Sequence, residues 1–346
     1  MKIIHILPEL EEGGVERHVL WLSNELVKRG HHVMVVSAGG KLFSHFDPAV
    51  THWRLPVHLK NPLTALFCAL RIASRARREG WQLIHAHSRV PAWIAWWSSS
   101  LASVPYIVTA HTCFGNRNPL VYLPYRKASA NISVSPSVAE EMGRLLSPNN
   151  RVILNGLPSP GKKWRGKSKD EVFKFLFIGR LSKVKGIQDL LEAFMKVKSE
   201  NWRLDVLGNG PLWDELKDKT SKLPLKGKVF LHGFRDDTER WLSECDCFLF
   251  PSYYEGMPLT LGQAVLMKVP YVVSDIPEVR NITLGKGIHI KPGRVDEWAD
   301  VLEGIINGTV EVFPVEVDTV PTVAKMTDQT EEIYRSVVRE TLGNGR

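Results

Sequence analysis

Residues 250–264 read FPSYYEGMPLTLGQA. An apolar strand ends at Phe250, Gly256, Met257 and Pro258 make a tight turn, and the run from Leu259 starts a helix, with Glu255 just ahead of the turn. The first N–H groups of such a helix have no partner inside it and form the positive end of its dipole. Seventy residues upstream, FKFLFIG (173–179) leads into GRLSKVKG (179–186), which offers Arg180 and Lys185 between two backbone-relieving glycines. One strand ending in cations and another ending in an acid and a helix start suit a sugar linked to a nucleotide. Cations and helix terminus hold a diphosphate, and the carboxylate takes hydroxyls. Gln263, one turn into the helix, is in reach of a ribose. The plainer reading is a solvated basic loop and a glutamate that caps a helix.

Outward from this stretch, short apolar runs alternate with helix-length segments. In the second half RLDVLG (203–208), KVFLHG (228–233), CFLFPS (247–252) and PYVVSD (270–275) join FKFLFIG as five strands. In the first half KIIHIL (2–7), a helix over Val15–Arg29 and HHVMVVS (31–37) open the pattern. LIHAH (83–87), a helix over Pro91–Ala102, YIVTAH (106–111), NISVS (131–135), a helix over Pro136–Leu146 and RVILN (151–155) continue it. A βαβ rhythm demands a parallel sheet with helices on both faces. Between the halves PSPGKKWRGKSKD (158–170) lacks periodicity and reads as a linker. The expected fold class is α/β, two tandem Rossmann-like domains over residues 1–160 and 161–322 with a ligand cleft between the carboxyl ends of their strands. A last helix over 323–346, apolar at Met326, Ile333, Tyr334 and Val337, packs outside the second sheet or crosses back to the first domain.

A chain of 346 residues exceeds what one core usually serves, and its 44% hydrophobic and 24% charged composition is that of a globular protein. Cys68, Cys113, Cys245 and Cys247 are scattered and read as reduced thiols, mostly buried; with no secretion signal and no apolar run of membrane length, a cytoplasmic protein is expected. The net charge of +8 is uneven: residues 1–165 hold 20 Lys and Arg against 9 Asp and Glu, and 166–346 hold 25 against 28. In PLTALFCALRIASRARREGW (62–81), Arg71, Arg75 and Arg78 fall on one helical face with Arg77 adjacent, which suits docking on anionic lipid at the inner membrane face as well as a merely solvated face. No nucleic-acid motif accompanies the basic half.

Gly13 and Gly14 sit between a strand and a helix opened by Glu16 and Arg17, where backbone N–H groups can approach a ligand. His85 and His87 share one face of a strand end; a metal site would need a third ligand and a carboxylate, neither near in sequence, so structural histidines are expected there and no metal. His111 ends its strand pointing toward the cleft. An Asp-x-Asp triplet, expected of a metal-dependent sugar transferase, is absent from the sequence.

Together GGVERH, HAHSRVPAW, TAHTCFG, VSPSVAEEM, ILNGL, GRLSKVKG, LGNGP, LHGF and PSYYEGMPLTLGQA resemble, in order and spacing, the family-4 retaining nucleotide-sugar glycosyltransferases of the GT-B fold. The resemblance implies transfer of a sugar from a nucleotide diphosphate, UDP ahead of GDP, to a glycan, lipid-linked or lipopolysaccharide acceptor, with no metal or cofactor. It implies that Arg180, Lys185, Gly14 and the helix start at Leu259 and Thr260 hold the diphosphate. Asn209, Phe234 and Gln263 would meet the nucleoside, Glu255 the sugar hydroxyls and His111 the anomeric region. Gly13, His87 and Arg89 fall on the acceptor side. The family pattern has a second glutamate where this chain has Gln263; an amide forgoes charge assistance worth roughly 1 kcal/mol. That departure keeps a non-catalytic sugar-nucleotide or membrane-binding homologue open beside the enzyme, with a nucleotide-sugar epimerase as the weaker rival.

Overall fold

The computed structural model describes residues 1–11, 13–112, 118–166 and 172–343. Two compact units emerge: Met1–Pro158 together with Pro321–Arg346, and Ser159–Val320.

The first unit is a seven-stranded parallel sheet: β1 (Lys2–Ile6), β2 (His32–Ser37), β3 (Thr51–Arg54), β4 (Leu83–His87), β5 (Tyr106–Ala110), β6 (Ala130–Ser133) and β7 (Asn150–Val152). Their spatial order is β3-β2-β1-β4-β5-β6-β7, so chain direction across the sheet reverses between β1 and β4. The sheet connects through α1 (Gly14–Lys28), α2 (Pro62–Glu79), α3 (Arg89–Ala102), the single turn α4 (Leu123–Arg126) and α5 (Pro136–Met142). β4 and β5 are buried at every residue, as strands covered on both faces must be. β3 (THWR) was not read as a strand, because it is a short edge strand with no fully buried residue and carries no apolar run. Local chemistry sets the helix ends. The Asn61 side chain accepts from Leu63 N at 2.9 Å with Pro62 following, and Ser135 accepts from Val138 N at 3.2 Å with Pro136 following.

The last helix, α12 (Val323–Gly343), belongs to this unit. Leu157 N donates to Pro321 O at 2.9 Å, and Met326, Tyr334 and Val337 enter the same core as Ile3, Val19 and Leu26. Arg29, at the end of α1, donates to Asp328 and Glu331 at 2.6 Å each.

The second unit is a six-stranded parallel sheet of β8 (Phe173–Ile178), β9 (Trp202–Leu207), β10 (Val229–Leu231), β11 (Cys247–Phe250), β12 (Tyr271–Ser274) and β13 (Ile288–Ile290), ordered β10-β9-β8-β11-β12-β13. The sixth strand, β13 (IHI), escaped the sequence reading because three residues carry no periodicity. The helices are α6 (Ile187–Lys196), α7 (Trp213–Thr220), α8 (Thr238–Glu244), α9 (Leu259–Leu266), α10 (Pro277–Thr283) and α11 (Val295–Ile306). Of the expected linker, the described part is fastened to this unit: Trp164 Nε1 donates to Cys245 O at 2.8 Å and Gly161 N to Glu239 at 3.0 Å. Residues 167–170 of it lie outside the described residues, as does Cys113; Cys68, Cys245 and Cys247 are buried free thiols. Among the described residues no helix is long and apolar enough to cross a membrane.

Tyr334, fully buried, hydrogen bonds through its hydroxyl to His85 Nδ1 at 2.6 Å, joining α12 to the centre of the first sheet. Tyr334→Phe strands that nitrogen in an apolar interior; a loss of about 1–3 kcal/mol, read from the urea midpoint, is expected.

Candidate active site

In the second sheet chain order reverses between β8 and β11, and the loops that leave their carboxyl ends carry the predicted donor residues. These loops are fastened to each other. Tyr253 N donates to Val184 O at 2.8 Å, and the Tyr253 hydroxyl donates to the Asp189 carboxylate. Gly186 has φ +68°, and a Cβ there would stand 2.0 Å from Pro251 O, so both the conformation and the close approach require glycine. This fastening brings Lys185 onto Glu255: Nζ donates to the two carboxylate oxygens at 2.6 and 2.7 Å. Glu255 is only 6% exposed, so its charge is matched by a direct partner rather than by water. Arg180 is exposed and makes no ion pair among the described residues.

Around this pair the remaining donor-side positions assemble. Leu259 and Thr260 open α9 after Pro258, which supplies no side-chain cap, and the Thr260 hydroxyl donates to Ile178 O at 3.4 Å. Gln263 follows one turn later, half-buried. The ends of β9 and β10 reach the same edge: Leu181 N donates to Asn209 O at 2.9 Å and Gly208 N to Gly233 O at 2.7 Å. That places Asn209, exposed, beside the β8 loop, and Phe234, half-buried, just after the β10 end that meets Gly208. The arrangement offers an anion one free cation, a second cation held by a replaceable carboxylate, and a helix start.

In the first unit the reversal between β1 and β4 holds a cluster of five imidazoles that sequence reasoning saw only in part. His5 Nδ1 lies 3.1 Å from His87 Nε2, and His87 Nδ1 lies 3.1 Å from His111 Nε2. His85 stacks 4.1 Å from His87 and is held by Thr109 Oγ1 at 2.7 Å and by Tyr334. His18, from α1, sets its ring 5.4 Å from that of His87 and 4.9 Å from that of His111. The strand register pairs His5 with His85; the histidine inside KIIHIL went unnoticed because that run reads only as a strand. His18 comes from the GGVERH motif, whose glycines drew the attention instead. Gly13 is the N-cap of α1 in extended conformation, and the Glu16 carboxylate folds over it so closely that a Cβ would lie 2.1 Å from Oε2. Gly14 is the first helical residue.

Two predicted roles change. His87, expected on the acceptor side, is fully buried, with its two ring nitrogens against His5 and His111. Arg75 does not join an open cationic face: its Nε donates to Glu79 at 2.9 and 3.0 Å, and its guanidinium lies 4.9 Å from the Trp53 ring. The outward cations of α2 are Arg71, Arg77 and Arg78, and the same exposed face carries Leu63, Leu66, Phe67 and Leu70. Arg89 opens α3, half-buried, with its charge acting on the Tyr125 hydroxyl. Ser88 before it has φ +99° and ψ 165°, a region nearly reserved for glycine that costs about 1–3 kcal/mol and adjoins His87.

Burial keeps the five imidazoles neutral. Desolvation is the main cause in each, taking His5 down to about 3 and His18 down to about 4, the latter against an opposing effect of the Asn155 side chain. His85, His87 and His111 also lie well below the ordinary range, lowered further by neighbouring imidazoles. In the unfolded chain these rings take protons near pH 6.5, while in the folded one they resist to far lower pH. Their contribution to stability is therefore full above pH 6.5 and declines as the pH falls toward 4, with a slope of up to about 1.4 kcal/mol per pH unit for each ring. Urea midpoints measured from pH 7.5 to 5 should fall more steeply than one histidine allows; a flat profile would contradict this.

Two family profiles divide the chain between them: "Glycosyltransferase Family 4" matches residues 12–158 and "Glycosyl transferases group 1" matches residues 172–307. Among curated relatives, an uncharacterized glycosyltransferase of Methanocaldococcus jannaschii is 26% identical over 326 residues, covering 83% of each chain. The UDP-Gal:alpha-D-GlcNAc-diphosphoundecaprenol alpha-1,3-galactosyltransferase of Escherichia coli is 23% identical, covering 70% of this chain and 71% of that one. Among solved structures, Anabaena HepE in complex with UDP-glucose superposes with a TM-score of 0.75 at 18% identity, covering 99% of both chains. With both halves matched in this order on two parallel-sheet units, the chain belongs to the family-4 glycosyltransferases of the GT-B fold.

Proposed function

We propose that the enzyme transfers a sugar from a UDP-linked donor to a glycan or lipid-linked acceptor, with retention of configuration and without a catalytic metal. The Lys185–Glu255 pair is the observation that carries this reading. An arriving diphosphate competes for Lys185 and joins Arg180 and the start of α9, and the released Glu255 turns to the hydroxyls of the transferred sugar. His111 is assigned to the reacting sugar. Two cations and a helix terminus supply the charge that a metal-dependent transferase takes from an ion on an Asp-x-Asp loop. Gln263 offers its amide oxygen to the ribose. UDP as base carrier is supported by the UDP-glucose complex of HepE, and a lipid-linked acceptor by the diphosphoundecaprenol acceptor of the E. coli relative.

An anionic bilayer is the surface on which we place such an acceptor. On α2, Leu63 is 77% exposed, and Leu66, Phe67 and Leu70 share its face with Arg71, Arg77 and Arg78. An apolar stripe flanked by cations inserts at the headgroup boundary and draws anionic lipid, as the basic balance of the first half favours. Co-sedimentation with phosphatidylglycerol vesicles should weaken on Leu66→Ser with Phe67→Ser, and separately on Arg77→Ser with Arg78→Ser. Equal binding to neutral vesicles, or indifference to both pairs, would count against it.

The donor site is tested by thermal shift. UDP should raise Tm in the wild type and not in Lys185→Ala, whereas Glu255→Gln should keep the UDP shift and lose turnover by roughly 100-fold or more. A UDP shift that survives Lys185→Ala overturns the assignment. An inverted anomeric product by NMR overturns retention.

A further inference from the structure

We propose that His18, His87 and His111 form a binding site for a divalent transition-metal ion of the zinc class. Each ring offers a nitrogen, and these three nitrogens lie within 4.8 Å of one another. Imidazole is a favoured ligand for zinc, copper and nickel, and three neutral histidines with a fourth position left to water are a known zinc donor set. Ligands on tetrahedral zinc at about 2.0–2.1 Å stand roughly 3.3 Å apart. His87 and His111 already bring ring nitrogens to 3.1 Å, so closing the set falls mainly to His18.

His18 is the independent observation. It is 97% buried, with the Asn155 side chain as its polar neighbour, and its ring lies against those of His87 and His111. Its position on α1 brings a third imidazole, from outside the sheet, to the His87–His111 pair. The second triad of histidines in the cluster, His5, His85 and His87, is less suited. Both nitrogens of His85 are engaged, by Tyr334 and by Thr109, and would have to give up those bonds. The fully buried rings also leave an ion no approach, whereas His111 is half-buried. All three ligands are neutral at neutral pH, so their lone pairs are available without displacing a net proton. When the ion binds, the proton shared between His87 and His111 moves to the other nitrogen of its ring, and no bond to carbon changes.

The sequence argues against a metal here because neither a third ligand nor a carboxylate lies near His85 and His87. The fold supplies the missing ligands from α1 and from the end of β5. For the reaction proposed above, occupation takes His111 away from the sugar, so the ion acts as a reversible inhibitor and is not required for transfer. This consequence rests on that reading; the binding itself does not.

The test is calorimetric titration of the full chain with Zn²⁺, and with Co²⁺ to read its visible absorption. One equivalent should bind with a Kd below about 10 μM and give the absorption of a nitrogen-rich tetrahedral site. His18→Gln should weaken binding by more than the roughly 10–100-fold that loss of an outer-shell partner costs, and His18→Cys, which restores a zinc ligand, should recover it. His45→Ala and His58→Ala, on the exposed surface, should leave it unchanged. Circular dichroism of each variant separates lost binding from lost folding. No binding at about 100 μM Zn²⁺, or binding that a folded His18→Gln variant retains, overturns the site. Inhibition by Zn²⁺ that EDTA reverses supports the consequence. Tight binding without inhibition leaves the site standing and refutes the role given to His111.

Discussion

Every strand described in either sheet runs parallel to its neighbours, and this constraint governs the rest of the molecule. Parallel strands require a crossover after each one, so both faces are covered by helices and the strands themselves become apolar. Polar and charged groups gather most readily at the strand ends, and among those the point where two neighbouring crossovers diverge is the widest. In the second unit that point holds Lys185, Glu255 and the start of α9. In the first it holds the imidazole cluster.

The two points solve the same problem of a buried polar group in opposite ways. Glu255 is met by Lys185 in a direct bidentate contact, which leaves a pair that an anion or a hydroxyl can open. The histidines of the first unit shed charge altogether, and both nitrogens of His85 and of His87 find partners among Thr109, Tyr334, His5 and His111. A neutral network of that kind is rigid but sensitive to acid, and it orients His111 through His87.

Much of this was legible before any coordinates. The alternation of apolar runs and helix-length segments gave both sheets, because each central strand is long enough and buried enough to leave a continuous hydrophobic signature. β3 and β13 left none, being short edge strands. The place of Lys185 and Glu255 after strand ends was readable, but their contact was not, since it depends on Gly186 letting the backbone pass against Pro251. His5 and His18 were unreadable as partners of His87 because cross-strand register and the packing of α1 bring them together across long stretches of sequence. Arg75 misled for the converse reason: helical spacing showed its direction, and only the fold showed that Glu79 and Trp53 occupy it.

The return of α12 has a consequence for the order in which the chain can fold. Residues 159–320 are one uninterrupted stretch and hold their own core from Phe173 to Ile305. The first unit is split around them, and its core lacks Met326, Tyr334 and Val337 until the final helix has left the ribosome. Synthesis therefore makes the second unit complete while the earlier-made unit still has an open flank at α1 and an unsatisfied His85. The core of the first unit is thus completed by residues made after the whole of the second unit.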